Sequence, residues 1–306
     1  MKPSGKTPEP FITPEMLEFA WGVIKRWVPK EALITLFRLK GQLDHALKAK
    51  PVDDFGLDPN LVWYLRPFFE FLYRHYFRVA TSGISNIPLK EPAIIVANHA
   101  GSIPYDGVMI NLAVYNEHPK MRPVRFLVHD FAFKLPFIGT FIERTGGVRA
   151  SPENAKNLLA HDQLILAFPE GIKGIGKPYD QRYKLQRFGR GGFIKLAIQT
   201  GVPIIPTAII GSEEIHPIVF ASEQIARPLG IPFFPLTPTF PWLGPLGLIP
   251  LPTKWRIIFG KPVSLKRYKK SDAGKEKIVE KLTEEVRTKI QKMINAALAK
   301  RRSIWF

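Results

Sequence analysis

The spacing of apolar positions divides the chain into two kinds of sequence. Up to about residue 78 the period is helical. Thr13-Pro14 has the form of a helix start, with Thr as N-cap and Pro at the first helical position. After it, Met16, Leu17, Ala20, Trp21, Ile24, Trp27 and Val28 recur on one face, and Lys25 and Arg26 lie off it. A second helical pattern runs from roughly residue 30 to 48. In a third, from about Asn60 to Arg78, the residues Arg66, Glu70, Arg74 and Arg78 fall every four positions and make one narrow polar stripe. The rest is strongly aromatic: Trp63, Tyr64, Phe68, Phe69, Phe71, Tyr73, Tyr76 and Phe77. A helix this apolar is buried or lies in a membrane interface, and Pro67 is expected to bend or restart it.

Beyond Arg78 short β-rich runs alternate with helical ones. The pattern predicts strands over 93–97, 124–128, 164–168, 204–210 and 255–259, and helices over 106–115, 151–161 and 192–200. A closing amphipathic helix over 271–300 sets Ile278, Leu282, Val286, Ile290, Met293 and Ala297 on one face. Such alternation predicts an α/β fold with a largely parallel sheet flanked by helices, preceded by an N-terminal aromatic-rich helical segment. The boundary falls near Val79, giving a helical, membrane-associating segment over 1–78 and an α/β domain over 79–306.

Composition sharpens this picture. The 306 residues are 45% hydrophobic, enough for a substantial core, and include no cysteine. Disulfides, thiolate catalysis and cysteine zinc sites are thereby excluded. The net charge is +18 with a pI near 10.0, which attracts nucleic acid, anionic lipid headgroups or phosphate-bearing substrates without choosing among them. The start of the chain has no apolar core or cleavage site of a signal peptide. The stretch from Pro228 to Thr253 is uncharged and long enough to cross a bilayer, but it carries eight prolines. Each removes a helical hydrogen bond, so the stretch reads as an extended apolar loop, packed on the protein or dipping into the interface.

Chemistry-bearing residues gather at strand ends, where α/β sheets bind ligands. Asn98-His99 directly follows the 93–97 strand, and Asp106 opens the next helix. A histidine there can act as a general base with an aspartate fixing its tautomer; a structural histidine beside a helix-capping aspartate fits the same residues equally well. Phe168-Pro169-Glu170-Gly171 ends another strand, Gly139 to Arg144 brings an arginine fork, and Val202 to Pro206 shapes a strand start. His129-Asp130 is a weaker second base candidate. Gly171 to Lys177 mimics a phosphate-binding loop, but Pro178 stands where Ser or Thr should hold magnesium. No G-x-S-x-G elbow supports Ser102 as a nucleophile, and no H-E-x-x-H pattern occurs, so no metal is expected.

The ordered set NH…D, G-x-F-I-x-R, FPEG and V-P-I-I-P, spanning about Pro92 to Gly211, resembles the four motif blocks of the glycerolipid acyltransferase family, which includes the 1-acylglycerol-3-phosphate and lysophospholipid acyltransferases. That resemblance implies that His99 removes the acceptor hydroxyl proton with support from Asp106. It implies that Arg144, Glu170 and Gly171 serve acceptor-phosphate binding and site architecture. Ile172-Lys173 stands where family members often have Thr-Arg, so Lys173 keeps the charge without the fork. Two residues more than usual separate the histidine from the aspartate. This insert, KPYDQRYKLQRFGRGGF, IIGSEEIHP and FPWLGPLGLIPLP are similar to a branch grouped with monoacylglycerol and diacylglycerol acyltransferase-like proteins.

The expected acceptor is therefore 1-acylglycerol-3-phosphate or another lysophospholipid, with a neutral monoacylglycerol- or diacylglycerol-type acceptor as the alternative. The donor is expected to be an acyl-CoA or acyl carrier protein thioester, with no other cofactor. Its phosphates suit the basic run Lys173, Lys177, Arg182, Lys184, Arg187 and Arg190, since Arg190 lies just before a helix start. The expected setting is the cytoplasmic face of the cell membrane, in peripheral or monotopic attachment to an anionic surface, with no nucleic acid partner and the oligomeric state open. A nonenzymatic basic membrane- or nucleic-acid-binding protein would explain the charge and the aromatic helices, but not motif residues at successive strand ends.

Overall fold

A computed structural model describes residues 53–101, 103, 105–134 and 138–305. The helical patterns expected before residue 49 lie outside the described residues. In chain order the elements are α1 (Pro59–Phe71), β1 (Ala80–Ser82), β2 (Ala93–Ala97), α2 (Tyr105–Glu117), β3 (Val124–Val128), α3 (Asp130–Lys134), α4 (Ile138–Arg144), β4 (Gly147–Arg149), α5 (Pro152–Ala160), β5 (Leu164–Ala167), α6 (Ile172–Ile175), α7 (Gly192–Thr200), β6 (Ile204–Ile210), β7 (Phe220–Ser222), α8 (Glu223–Ala226), β8 (Phe234–Leu236), β9 (Arg256–Phe259) and α9 (Glu276–Ala299). Residues 52–222 and 234–306 form one compact unit. In the other unit, residues 223–233 comprise α8 and one 3-10 turn, Arg227–Leu229.

Seven strands make one sheet in the order β1-β9-β6-β2-β5-β3-β4. β2 sits between β5 and β6, parallel to both. Only the pairing of β9 with β6 is antiparallel; the sequence marked that strand but not its direction. The fold is thus α/β with a mostly parallel sheet flanked by helices. The runs Ala93–Ala97 and Ile204–Ile210 are buried throughout, as strands covered on both faces must be. Alternation divides their side chains. Ile94, Val96, Ile165, Ile204 and Ala208 pack with α5, α7 and α9, and Ile95, Ala97, Leu166, Ile205 and Ile209 pack with α2. Each fully buried Ile or Leu contributes roughly 1.5–3 kcal/mol.

The aromatic helix α1 is capped by Asp58, whose carboxylate accepts from the Asn60 and Leu61 amides. It runs through Pro67, then widens into a single π turn, Leu72–Tyr76. Glu70 joins Arg66 at 3.4 Å and Arg74 at 2.9 Å, so most of the polar stripe is an ion-pair ladder. Arg78 leaves it to donate to the Tyr76, Pro252 and Trp305 carbonyls. Trp63, Tyr64, Phe68 and Phe71 are exposed, whereas Leu61, Leu72, Tyr73 and Phe77 are buried. On α9 the buried face is Val279, Leu282, Val286, Ile290, Ile294 and Ala297. The expected positions Ile278 and Met293 pack at its margin.

Candidate active site

β2 and β5 run parallel and adjacent, so their C-terminal ends open on the same edge of the sheet. Asn98 holds that edge together: its side-chain amide donates to the Ile209 carbonyl at 3.0 Å and accepts from the Ile209 N–H at 2.8 Å. His99 follows, and its Nδ1 lies 2.7 Å from Asp106 Oδ2. Asp106 is in the first turn of α2 and fully buried. The same carboxylate accepts the Ala100 N–H at 3.0 Å and the Gly107 N–H at 2.9 Å. A carboxylate surrounded by N–H donors is acceptor-only, so His99 Nδ1 carries the proton and Nε2 keeps its lone pair. The imidazole stacks on Phe168, with centroids 4.1 Å apart and planes 11° from parallel. Its side chain is 14% exposed.

Glu170, at the end of β5, does not face outward as a substrate ligand. Its Oε1 accepts the His99 backbone N–H at 3.0 Å, and its Oε2 accepts the Gln186 N–H at 2.7 Å. Gly171 turns the chain with φ 56 and ψ −141, a region L side chains rarely occupy. Gly174 is needed for a different reason: a Cβ there would sit 2.9 Å from Glu170 Cβ and 3.0 Å from His99 Cβ. The FPEG turn and α6 are thus packed directly against the histidine backbone.

The structure seats Arg144 in an ion pair with the buried Asp58, its Nη2 2.6 Å from Asp58 Oδ2. Asp58 is the N-cap of α1 and its N–H also donates to the Arg144 carbonyl, so the arginine clasps α4 to α1. Burial pushes the Asp58 carboxyl up, but the hydrogen bonds from Arg144 and the Leu61 and Asn60 amides outweigh it and hold the carboxyl below its usual range.

The expected phosphate-binding run is corrected at one position, Lys177. Lys177 is buried between Glu170 and Glu213, 3.3 and 3.2 Å away. Arg187 is paired with Glu280, and Arg182 lies over the Tyr179 ring. Lys173, Lys184 and Arg190 are exposed. The partners Glu213, Tyr183 and Gln186 belong to none of the four motif blocks; they lie in the stretches IIGSEEIHP and KPYDQRYKLQRFGRGGF, which carry only the branch resemblance. Burial pushes the Glu213 carboxyl up to about 7, against the pull of Lys177 and the Tyr183 N–H.

A cavity of about 340 Å³ lies beside α2, lined by Val62, Trp63, Phe69, Leu112, Phe126 and Phe141 among others. Phe126 from its lining and Phe168 from the imidazole face flank Gly107, each within 3.9 Å of where a Cβ would lie there. Among the described residues no helix is long and apolar enough to cross a membrane.

Comparison with known proteins follows the same outline. A family model described as Acyltransferase matches residues 78–210, which hold His99, Asp106, Arg144 and Glu170. The chain is 47% identical over 258 residues to an uncharacterized protein of Mycobacterium leprae (strain TN), covering 83% of this chain and 70% of the relative. It is 47% identical over 256 residues to one of Mycobacterium tuberculosis (strain ATCC 25618 / H37Rv), covering 83% and 72%. Over 124 residues it is 28% identical to a Bos taurus protein named DGAT1/2-independent enzyme synthesizing storage lipids, covering 40% of this chain and 36% of that one. Among solved structures, the 1-acyl-sn-glycerophosphate (LPA) acyltransferase PlsC from Thermotoga maritima aligns with a TM-score of 0.49 at 20% identity, covering 79% of this chain and 82% of that one. With the motif blocks in order and the Acyltransferase family model spanning them, the chain belongs to the glycerolipid acyltransferase family and is an acyltransferase.

Proposed function

We propose that the protein transfers a fatty acyl group from a thioester to a glycerolipid hydroxyl, with His99 as general base. The observation that carries this reading is the 2.7 Å contact of His99 Nδ1 with the buried Asp106 carboxylate. With Nδ1–H donated to Asp106, Nε2 takes the proton of the acceptor hydroxyl as its oxygen attacks the thioester carbonyl. The tetrahedral intermediate collapses by breaking the C–S bond, and the imidazolium returns its proton to the departing thiolate. Asp106 stabilises the imidazolium between these events. The donor is an acyl-CoA or an acyl carrier protein thioester, whose thiolate leaves readily, so no acyl-enzyme is invoked.

Two readings of the acceptor have separate support. A lysophospholipid such as 1-acylglycerol-3-phosphate would find the exposed Lys173 and Arg190 for its phosphate: α6, which carries Lys173, packs on His99, and Gly189 beside Arg190 donates to the Pro169 carbonyl. A neutral acceptor of monoacylglycerol or diacylglycerol type is favoured by Arg144, whose guanidinium is paired with Asp58. It also agrees with the storage-lipid name of the Bos taurus relative. The apolar cavity along α2 suits an acyl chain, since Val108, Leu112 and Tyr115 line it over roughly 10 Å of the helix that Asp106 opens.

The acceptor stays in a bilayer, and the protein carries the means to meet it there. Trp242, Leu243, Leu246 and Ile249 are exposed on one uncharged loop, and Trp63, Tyr64, Phe68 and Phe71 on α1. With a net charge of +18 these faces suit peripheral attachment to an anionic cytoplasmic leaflet. The test is turnover with purified protein, labelled acyl-CoA or acyl carrier protein, and a panel of lysophosphatidate, other lysophospholipids, monoacylglycerol and diacylglycerol in vesicles. One acceptor should be acylated, and H99A should reduce its turnover by about 10² or more. Product formation that survives H99A would end the mechanism.

A further inference from the structure

Three charged side chains lie buried behind the histidine. Lys177 Nζ bridges Glu170 Oε2 at 3.3 Å and Glu213 Oε2 at 3.2 Å, and the three side chains are 3%, 0% and 4% exposed. Each carboxylate is also anchored to backbone: Glu170 to the His99 and Gln186 amides, Glu213 to the Tyr183 amide at 2.7 Å. Tyr183 extends the network. Its hydroxyl accepts the Gly211 N–H at 2.8 Å and an Arg301 N–H at 3.3 Å, and Arg301 pairs with Glu214 at 2.7 Å.

We infer that Lys177 is a positioning residue for the acyl transfer proposed above: it holds Glu170 as an oriented, ionised acceptor of the His99 backbone N–H, and Glu213 holds the lysine in turn. The physics follows from charge and burial. With both carboxylates ionised, the cluster carries two negative charges and one positive. Removing the ammonium leaves two buried carboxylates facing each other, which is strongly unfavourable. Glu170 then takes up a proton or swings away, and the His99 amide loses its acceptor. His99 Nδ1 is fixed by Asp106, but its backbone is fixed by Glu170 and by Gly174 beneath it. A backbone shift at residue 99 therefore moves Nε2 relative to the acceptor hydroxyl, and a 1 Å misplacement can cost about a hundredfold in rate.

The inference rests on the acyltransferase reading, and the experiment separates the two. Wild type, K177M, E213Q and K177M/E213Q are compared at pH 8, above the value of about 7 to which burial pushes Glu213. The double variant restores the net charge of the cluster, because one cation and one anion are both removed. Expected is a fall in kcat of about a hundredfold in K177M with KM for the thioester little changed, and a recovery of at least tenfold in K177M/E213Q. The His99 backbone amide is followed in parallel by 15N–1H NMR. Its proton resonance should move upfield in K177M and return toward its wild-type position in the double variant. A K177M enzyme with wild-type kcat, or a double variant as slow as K177M, overturns the inference. If K177M does not fold, E170Q tests the same link without touching the lysine: kcat should fall at least tenfold, and an unchanged value overturns the proposal. If the amide responds as expected but the wild type acylates no acceptor, the bridge stands and the acyltransferase chemistry falls.

Discussion

Replacing Asp106 by Asn is the sharpest probe of the site, because it alters charge while leaving shape intact. Asp106 Oδ2 accepts two hydrogens, from His99 Nδ1 and Ala100 N, and Oδ1 accepts a third from Gly107 N. An asparagine has only one acceptor oxygen. If its NH2 takes the Oδ2 position, it confronts the Ala100 N–H and turns His99 Nδ1 into an acceptor, so Nε2 carries the proton and cannot act as base. If the NH2 takes the Oδ1 position, the tautomer survives, but the Gly107 N–H loses its partner and the imidazolium has no counter-charge. A hydrogen bond to a charged group is worth about 1.5–3 kcal/mol, and the tautomer or desolvation penalty adds about 1–3 kcal/mol. The sum predicts a kcat lower by about 10²–10⁴ at roughly 1.36 kcal/mol per tenfold. Thiol release at saturating donor, with lipid product identified by mass spectrometry, measures it. Since the two residues act as one unit, H99A/D106N should be no slower than H99A alone. A D106N enzyme that is folded and keeps more than about a tenth of wild-type kcat would refute the reasoning.

Other expectations follow from the same structure. R144A leaves the buried Asp58 carboxylate without its ion-pair partner and should lower stability by about 3–5 kcal/mol in denaturant unfolding; unchanged stability with a steep rise in KM for lysophosphatidate would instead make Arg144 a phosphate ligand. Val62→Trp fills part of the α2 cavity and should shift donor preference toward shorter acyl chains, read as kcat/KM over a chain-length series. W242A/L243S/L246S should weaken sedimentation with anionic vesicles while leaving the melting temperature within a few degrees, because these side chains are exposed; unaltered sedimentation would remove the loop from the membrane contact. Glu213 titrates at about 7 in the folded chain against an ordinary 4.5, so the folded state holds its proton more tightly. The stability this confers is complete below about 4.5 and lost as pH rises through about 7. E213Q should therefore show a flatter stability profile over that window, and an identical slope would disprove the assignment.

Much of the site was legible in the chain because it depends on local order. A buried strand ending in Asn98-His99, followed by a helix opening on Asp106, needs little tertiary information to place both groups at one edge. The FPEG turn lands beside it because β2 and β5 are neighbours, which a parallel sheet makes natural but the sequence does not state. Other features depend on contacts far apart in the chain. Lys177 stood in a run of cations and read as a partner for the donor's phosphates; its burial is decided by Glu213, 36 positions away. Arg144 read as a phosphate ligand because the Asp58 that holds it precedes a different helix. β1 and β4 have three residues each, too few for a period to emerge. On α9 the period was right and the face displaced by one residue at two positions, since packing rather than spacing chooses between Ile278 and Val279.

Asn98 offers a caution for anyone dissecting this motif by mutation. Its side chain exchanges two hydrogen bonds with the main chain of Ile209, one given and one taken, as a peptide group in the next rung of the ladder would. It is a splice between two strands made from a side chain, and it touches no reacting atom. N98D keeps the outline yet cannot donate to the Ile209 carbonyl, so the pair of strands would part at the very rung that carries the histidine. Such an enzyme would look catalytically dead for what is in truth a seam come undone.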